Sequence, residues 1–510
     1  MTDKKTLKLP GRSAPAPTQE RARAARPGTA TDRPRGNPAD NRSNAGGYKG
    51  KGSNEGSRPE GGSGYRGSRP EGRAAASTYK QGGDSERYRG KPAAGASREA
   101  FSHEGRRPAA TRSAGGVTAV TLAPQKFDWL AIQQYYAPCP RGLEVLLAEE
   151  LDDLGAQNID VNDGGVGFRG PIELMYLTNL HSRIASRIFL RLDERAYRSE
   201  SDLYRLGTRV DWPGLFSVDR TIKVSVTAQR SNLRSLDFIA LKVKDAVCDI
   251  FRDACGERPS VDTHAPDVRI HVFMTDRLAT LYIDTSGESL FKRGYRQESV
   301  EAPLRENLAA GLLLLSGWSG QEALHDPMCG SGTFLIEAAQ LALNLAPGRL
   351  RSFGFEGLSG FNAELWARYK DEAEAHSLQQ LPAPITGRDR DIAAVDSALR
   401  NIEAAGLAGV IQVEVGDFLN TAAAPAVEGV LIANPPYGVR LEELDRLAEF
   451  YPQLGDVLKR QFAGWRAWLL TGDLRLPKLI RLTPTRRLPI YNGALDCRFY
   501  EFKLVAGSNR

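Results

Sequence analysis

Cysteine is scarce in this chain, with five in 510 residues, at positions 139, 248, 255, 329 and 497. None forms a Cys-x-x-Cys pair and none has a histidine at ligand spacing. That pattern excludes a zinc ribbon and a disulfide framework, and it points to a reducing compartment. Long apolar runs are missing too. No window reaches the roughly 18 consecutive apolar residues of a spanning helix, and the N-terminus, Met1-Thr2-Asp3-Lys4-Lys5, has no apolar core behind it to act as a secretory signal. Together these absences predict a cytoplasmic protein with no membrane partner and no metal.

Large apolar side chains are nearly absent from residues 1–125, which are mostly Gly, Arg, Ser, Pro and Ala. Such a segment cannot bury enough surface to offset its ordering entropy, so a disordered tail is expected. It carries loose repeats, Gly56-Ser57-Arg58-Pro59-Glu60-Gly61 and Gly67-Ser68-Arg69-Pro70-Glu71-Gly72. Residues 1–115 hold 24 Lys and Arg against 11 Asp and Glu, a net of +13, which leaves 44 against 51 for the rest, a net of −7. The overall +6 therefore hides a basic tail on a mildly acidic body. Arg with interspersed Tyr and Gly fits weak, salt-sensitive RNA binding, and it fits a solubilising tail equally well.

Order is expected to begin near Phe127. The length allows two to four domains. Amphipathic patterning predicts helices over 143–154, 173–191 and 237–252, with strands over 166–170, 221–226, 268–273 and 279–284, an α+β arrangement rather than a parallel sheet. The 173–191 helix would carry Arg183, Arg187 and Arg191 on one stripe, and the 237–252 helix carries Lys242 and Lys244. A basic stripe on a helix is also what an ordinary solvated face looks like.

From about residue 300 the pattern becomes strand–helix–strand. Each strand ends in chemistry-bearing residues: Asp326-Pro327-Met328-Cys329-Gly330-Ser331-Gly332-Thr333, then Asp389, then Asp417, then Asn434-Pro435-Pro436-Tyr437. Open α/β sheets bind ligands at the carboxyl ends of their strands, and a glycine-bearing strand-to-helix turn lets a ligand approach the backbone closely. Asp389 suits ribose hydroxyls and Asp417 an adenine amino group, although each carboxylate taken singly reads as a helix cap. In Asn434-Pro-Pro-Tyr437, two prolines remove two backbone donors and push the Pro435 carbonyl outward. The Asn434 side-chain oxygen adds a second acceptor, and Tyr437 supplies a stacking face. Two acceptors can hold the two N–H bonds of a flat amine. A proline turn closing a strand has the same spelling, and the motif does not choose among guanine, adenine and a glutamine side chain.

The Asp326–Thr333 segment with Asn434-Pro-Pro-Tyr-Gly resembles class I S-adenosylmethionine-dependent methyltransferases that act on exocyclic amines. Upstream, Arg141-Gly142-Leu143-Glu144, Leu241-Lys242-Val243-Lys244-Asp245-Ala246, Arg258-Pro259-Ser260-Val261-Asp262, Ser286-Gly287-Glu288-Ser289-Leu290 and Arg293-Gly294-Tyr295-Arg296 are similar to THUMP-domain RNA methyltransferases, above all those that modify guanine N2 in 23S ribosomal RNA. The resemblance runs from about residue 130 to the C-terminus.

The 1–125 tail is not part of the family pattern; beyond it the resemblance implies three regions, a ferredoxin-like segment over 126–173, a THUMP domain over 174–285, and a Rossmann-like catalytic domain over 286–510. S-adenosyl-L-methionine would be held by Asp326, Pro327, Cys329, Gly330, Gly332, Thr333, Asp389, Asp417 and Asn434. The target base would be held by Asn434, Pro435 and Tyr437. Arg183, Arg187, Arg191, Lys242, Lys244, Arg293 and Arg296 become candidate RNA contacts, and 23S ribosomal RNA or an assembling large subunit the expected partner. Alternatives are a transfer-RNA guanine-N2 methyltransferase and a non-enzymatic RNA chaperone or ribosome assembly factor. Some relatives carry a second methyltransferase domain. This chain ends at Arg510, so one reaction is expected. The 63 residues from Asp326 to Asp389 exceed one crossover, and the segment from Phe353 to Trp366 resembles a family insertion.

Overall fold

The computed structural model describes residues 123–297, 304–436 and 441–505, with backbone only for 441–446. The expected tail lies outside the described residues except for 123–125, and so does Tyr437. Gln125 is already pinned, because its amide donates to the Arg209 carbonyl and its own carbonyl accepts from Asp211.

The first half is built on one seven-stranded sheet. Its strands are β1 (Gln133–Pro138), β2 (Gln157–Asn162), β3 (Gly165–Gly170), β4 (Phe189–Ala196), β5 (Ile222–Ala228), β6 (Val268–Met274) and β7 (Leu278–Asp284), in the order β2-β3-β1-β4-β7-β6-β5. All neighbours are antiparallel except β5 and β6. A parallel pair needs a crossover, and the helix Leu236–Cys255 supplies it. The Ser235 side chain caps that helix by accepting from the Phe238 amide, and Gly256 closes it at φ +82°. Alternate residues of β1 and β6 are buried, as one packed face of an antiparallel sheet requires.

The expected helix over 173–191 is corrected. The helix is Glu173–His181, Ser182 turns extended, and Arg191 lies on β4. The cause is a long-range contact that periodicity cannot show. The Glu150 carboxylate accepts from the Ser182 hydroxyl and from the amides of Arg183 and Ile184, so those amides leave the helical ladder. The expected division at 173/174 falls at the start of this helix, and the sheet runs through it. β4 joins the two halves, pairing Phe189 and Leu190 with Tyr136 and Tyr135 of β1 and running its length along β7.

The second half is a Rossmann-like sheet of β8 (Ala323–Asp326), β9 (Ile385–Asp389), β10 (Gln412–Val415), β11 (Gly429–Ala433), β12 (Arg466–Thr471), β13 (Arg486–Asn492) and β14 (Leu495–Lys503), in the order β10-β9-β8-β11-β12-β14-β13. β8 to β12 run parallel and β14 antiparallel to both its neighbours. Every residue of β8 and β11 is buried, which is why Val430-Leu431-Ile432-Ala433 reads as an unbroken apolar run. The segment between β8 and β9 folds back on the first half. Phe355 and Trp366 from it pack with Tyr176 of the Glu173–His181 helix, at ring-centroid distances of 4.9 and 6.0 Å.

Candidate active site

The strand order reverses between β8 and β11, so their carboxyl ends flank a crevice. Asp326 ends β8 and Asn434 follows β11, which puts both at this switch point. Asp389 ends the neighbouring β9.

The turn after β8 is shaped by its own hydrogen bonds. The Cys329 amide donates to the Arg388 carbonyl at 3.0 Å, and Gly332 N–H donates to the Cys329 carbonyl at 2.8 Å. Gly330 N–H donates to Asp389 Oδ2 at 2.9 Å, fastening the turn to the end of β9. Gly330 and Gly332 sit at φ +52° and +81°, a backbone that side chains disfavour. A Cβ added at Gly330 would meet nothing within 4 Å, so open space lies beside the backbone there. Gly332 then starts the helix Thr333–Ala342. Burial pushes the Asp326 carboxyl up to about 8 and holds the Cys329 thiol well above its ordinary range, so Cys329 is no nucleophile. Asp417 Oδ1 accepts from the Leu419 amide and caps a short 3₁₀ turn.

Asn434 Oδ1 is buried and has no hydrogen-bond partner among the described residues. A buried orphan acceptor costs free energy unless something fills it. Nearby, the Tyr451 hydroxyl donates to the Pro436 carbonyl at 3.2 Å and anchors the proline turn.

Four of the seven candidate RNA contacts are engaged with the protein. The Arg183 guanidinium donates to the carbonyls of Gln340 and Leu345 at the end of the Thr333–Ala342 helix, and burial lowers its pKa to about 10. Arg187 is tied to Asp284, the Gly287 carbonyl and Ser289. Arg293 is 2% exposed and pairs with fully buried Glu337 at 3.3 Å, while also donating to the Leu290 and Arg183 carbonyls. Arg296 reaches Glu306 at 2.7 Å, Ser331 at 3.1 Å and Thr333 at 3.0 Å. These four are corrected from RNA contacts to internal ties. Three remain part-exposed: Arg191 pairs with Glu194, Lys244 with Asp245, and Lys242 lies 5.3 Å over the Phe238 ring.

Arg296 therefore belongs to the turn after β8. Sequence reasoning missed this because the contact spans 35 to 37 residues and its Arg-Gly-Tyr-Arg setting gives no hint of the distant partner. Replacing Arg296 with Ala is expected to weaken binding of the ligand held by that turn by about tenfold, the equivalent of one charge-assisted hydrogen bond. Lys should not rescue it, since only a planar fork serves Glu306 and both hydroxyls. Calorimetric titration checks this, and an unchanged Kd would show that the turn holds itself.

Three families match consecutive stretches of the chain: an RlmL ferredoxin-like domain at 134–189, a THUMP domain at 197–284, and an RMKL-like methyltransferase domain at 293–501. A Synechocystis protein provisionally named an RNA methyltransferase is 38% identical over 371 residues, covering 72% of this chain and 96% of its own length. The chain belongs to the THUMP-containing, RMKL-like methyltransferase family. Ribosomal RNA large subunit methyltransferase K/L of Methylococcus capsulatus is 43% identical over 383 residues, 73% of this chain and 51% of that protein. The chain thus spans about half the length of the K/L relatives it matches. Among solved structures, a protein provisionally named a methyltransferase, in complex with S-adenosylhomocysteine, aligns at TM-score 0.68 and 30% identity, over 73% of this chain and 98% of its own. A Listeria monocytogenes protein, named by prediction an N6-adenine-specific DNA methylase, aligns at 0.67 and 28%, over 73% and 97%.

The cofactor of this methyltransferase is S-adenosyl-L-methionine, and the residues fit it. There is open space beside the Gly330 backbone, a helix N-terminus behind it, and a buried acid in Asp326. With its carboxyl near 8, Asp326 is neutral at pH 7 in the free protein. A ligand of net positive charge favours the carboxylate. Binding should therefore release a proton below about pH 8, and affinity should rise with pH up to that value. Calorimetry at pH 7 in two buffers of different ionisation enthalpy measures the release. Asp326→Asn should abolish it, and an identical proton count in both proteins would assign the titration elsewhere.

Proposed function

We propose that this methyltransferase adds a methyl group to the N2 amine of a guanine in large-subunit (23S) ribosomal RNA, acting on the free RNA or on an assembling subunit. The observation that carries this reading is the orphan acceptor, Asn434 Oδ1, buried at the switch point beside the Gly330–Thr333 turn. The name and 43% identity of the Methylococcus relative support ribosomal RNA as the substrate class.

When bound, S-adenosylmethionine supplies an electrophilic methyl group, so the protein's task is mainly positioning. Guanine N2 is conjugated with its ring and a poor nucleophile. Asn434 Oδ1 and the Pro435 carbonyl accept its two N–H bonds and favour a more pyramidal nitrogen, whose lone pair turns toward the methyl carbon. Asp326 and the Gly330–Thr333 turn would hold S-adenosylmethionine, and the nitrogen would take its methyl group in exchange for one proton released to water. No general base is needed for the attack. Tyr437 stacks on the base, which must be unpaired for its amine to be reached. Pro436, anchored by Tyr451, keeps the turn from collapsing onto Asn434.

Mass-spectrometric mapping of ribosomal RNA from a deletion strain tests the proposal. The expected result is the loss of one N2-methylguanosine from 23S RNA. Loss of a methylated adenine, of a transfer-RNA methylguanosine, or of no modification would overturn it.

A further inference from the structure

The Arg141-Gly142-Leu143-Glu144 motif has no part in methyl transfer as described, yet each of its residues is committed to one spot. Gly142 sits at φ +93°, and a Cβ there would lie 2.8 Å from the Pro489 carbonyl of β13. Leu143 is fully buried beside Gly311 of the helix Glu306–Leu315. The Glu144 carboxylate accepts from the amides of Gly142 at 2.8 Å and Gly164 at 3.0 Å, fixing the turn. The turn is wedged against the β13–β14 hairpin, where Tyr491 N–H donates to the Arg141 carbonyl.

This wedge leaves a cleft of about 380 Å³, lined among others by Arg141, Ser186, Arg305, Leu308, Tyr491 and Asn492. The Arg141 guanidinium lies 5.9 Å over the Tyr491 ring. Its ion-pair partner Asp163 is 69% exposed, and such pairs contribute little in water, so Arg141 is free to change partner. Arg305 is exposed and lies 5.1 Å over the Phe291 ring, with no carboxylate paired to it among the described residues. A larger cleft at Arg191, Arg195 and Arg209 differs in this respect, because Asp193 and Glu194 neutralise its cations.

The cleft also faces the right way. β14 runs antiparallel to β12, with Arg498 opposite Thr471, so the hairpin tip at Asn492 and Leu495 projects beyond the carboxyl end of β12. That is the edge on which Asp326 and Asn434 lie. β13 stands three strands from β11, about 14 Å at the usual interstrand spacing of ~4.8 Å.

We infer that Arg141, Arg305 and Tyr491 form an accessory subsite for a nucleotide of the substrate strand that flanks the target base. The two guanidiniums hold its phosphate and the Tyr491–Arg141 surface stacks its base. This rests on the reading of the substrate as RNA. The subsite binds a second nucleotide and takes no part in the reaction.

The test compares the full chain with R141A/R305A, Tyr491→Ala and Tyr491→Phe, using deproteinised 23S RNA from a strain lacking the enzyme. R141A/R305A and Tyr491→Ala should each raise KM for this RNA at least about fivefold. The double variant should also flatten the dependence of log KM on log salt by about 0.7 for each phosphate that is no longer neutralised. kcat at saturating RNA and the affinity for S-adenosylhomocysteine should stay as in the parent, and Tyr491→Phe should behave like it. RNA methylation with unchanged KM and salt slope in R141A/R305A overturns the subsite alone. A fall in S-adenosylhomocysteine affinity also overturns it, since the residues would then support the cofactor site. A parent chain that methylates neither this RNA nor the precursor large subunit from the same strain overturns the proposed function, and the subsite with it.

Discussion

Replacing Asn434 with Ala is expected to lower the single-turnover rate of methyl transfer at least about 100-fold while S-adenosylmethionine still binds. The magnitude is that of removing one preorganised hydrogen bond at a reacting centre. The direction follows from where Asn434 Oδ1 sits: buried, following a fully buried strand, and without a partner among the described residues. On the proposed mechanism its partner is an N–H that arrives with the substrate, so the loss should fall on kcat rather than on cofactor affinity. Rapid-quench transfer of radiolabelled methyl reads the rate, and calorimetry reads the cofactor. If affinity collapses together with rate, Asn434 supports the cofactor and the assignment of its oxygen to the target amine is wrong. Asn434→Asp is the sharper variant. It keeps the acceptor and its size, so it should retain more activity than Ala.

The second large effect concerns stability. Arg293→Ala leaves the Glu337 carboxylate buried in the core with, among the described residues, the Tyr295 hydroxyl at 3.3 Å as its remaining donor. Breaking one side of a buried pair costs about 3–5 kcal/mol, most of it the uncompensated charge. Arg293 also donates to the Arg183 and Leu290 carbonyls, which lose their donor. A marked fall in melting temperature is the expected outcome. Glu337→Gln together with Arg293→Met should recover much of it, because removing both charges is far cheaper than stranding one. A double variant no better than Arg293→Ala would mean that the carbonyl ties dominate.

Legibility follows the range of the interactions. The catalytic half can be read closely: the strand ends at Asp326, Asp389 and Asn434 are local in sequence, and the apolar run before Asn434 announces a strand buried on both faces. The elements expected over 237–252, 268–273 and 279–284 lie within three residues of the observed ones at each end, for the same reason. β4 escapes a reading by periodicity because Arg183, Arg187 and Arg191 fall at helical spacing, and only Glu150, some 33 residues away, turns that stretch out of a helix. The misplaced RNA contacts share this cause. A basic residue is visible in a sequence, but the buried counter-ions, Asp284 for Arg187 and Glu337 for Arg293, are not. Arg296 shows the converse, a residue that besides its pair with Glu306 serves a turn that follows it by 35 residues.

β4 has a consequence for how the enzyme chooses its target. It is hydrogen-bonded on one side to β1 and on the other to β7, and Arg183 and Arg293 rivet this shared sheet to the helix behind the cofactor turn. A sheet shared in this way couples its two parts through continuous backbone hydrogen bonds, like one jaw of a caliper. On the proposed function, an RNA held by the THUMP domain would present to Asn434 the base lying at the matching span. On that reading, sequence around the target would matter less than how far the RNA's own fold carries that base from the element held by the THUMP domain.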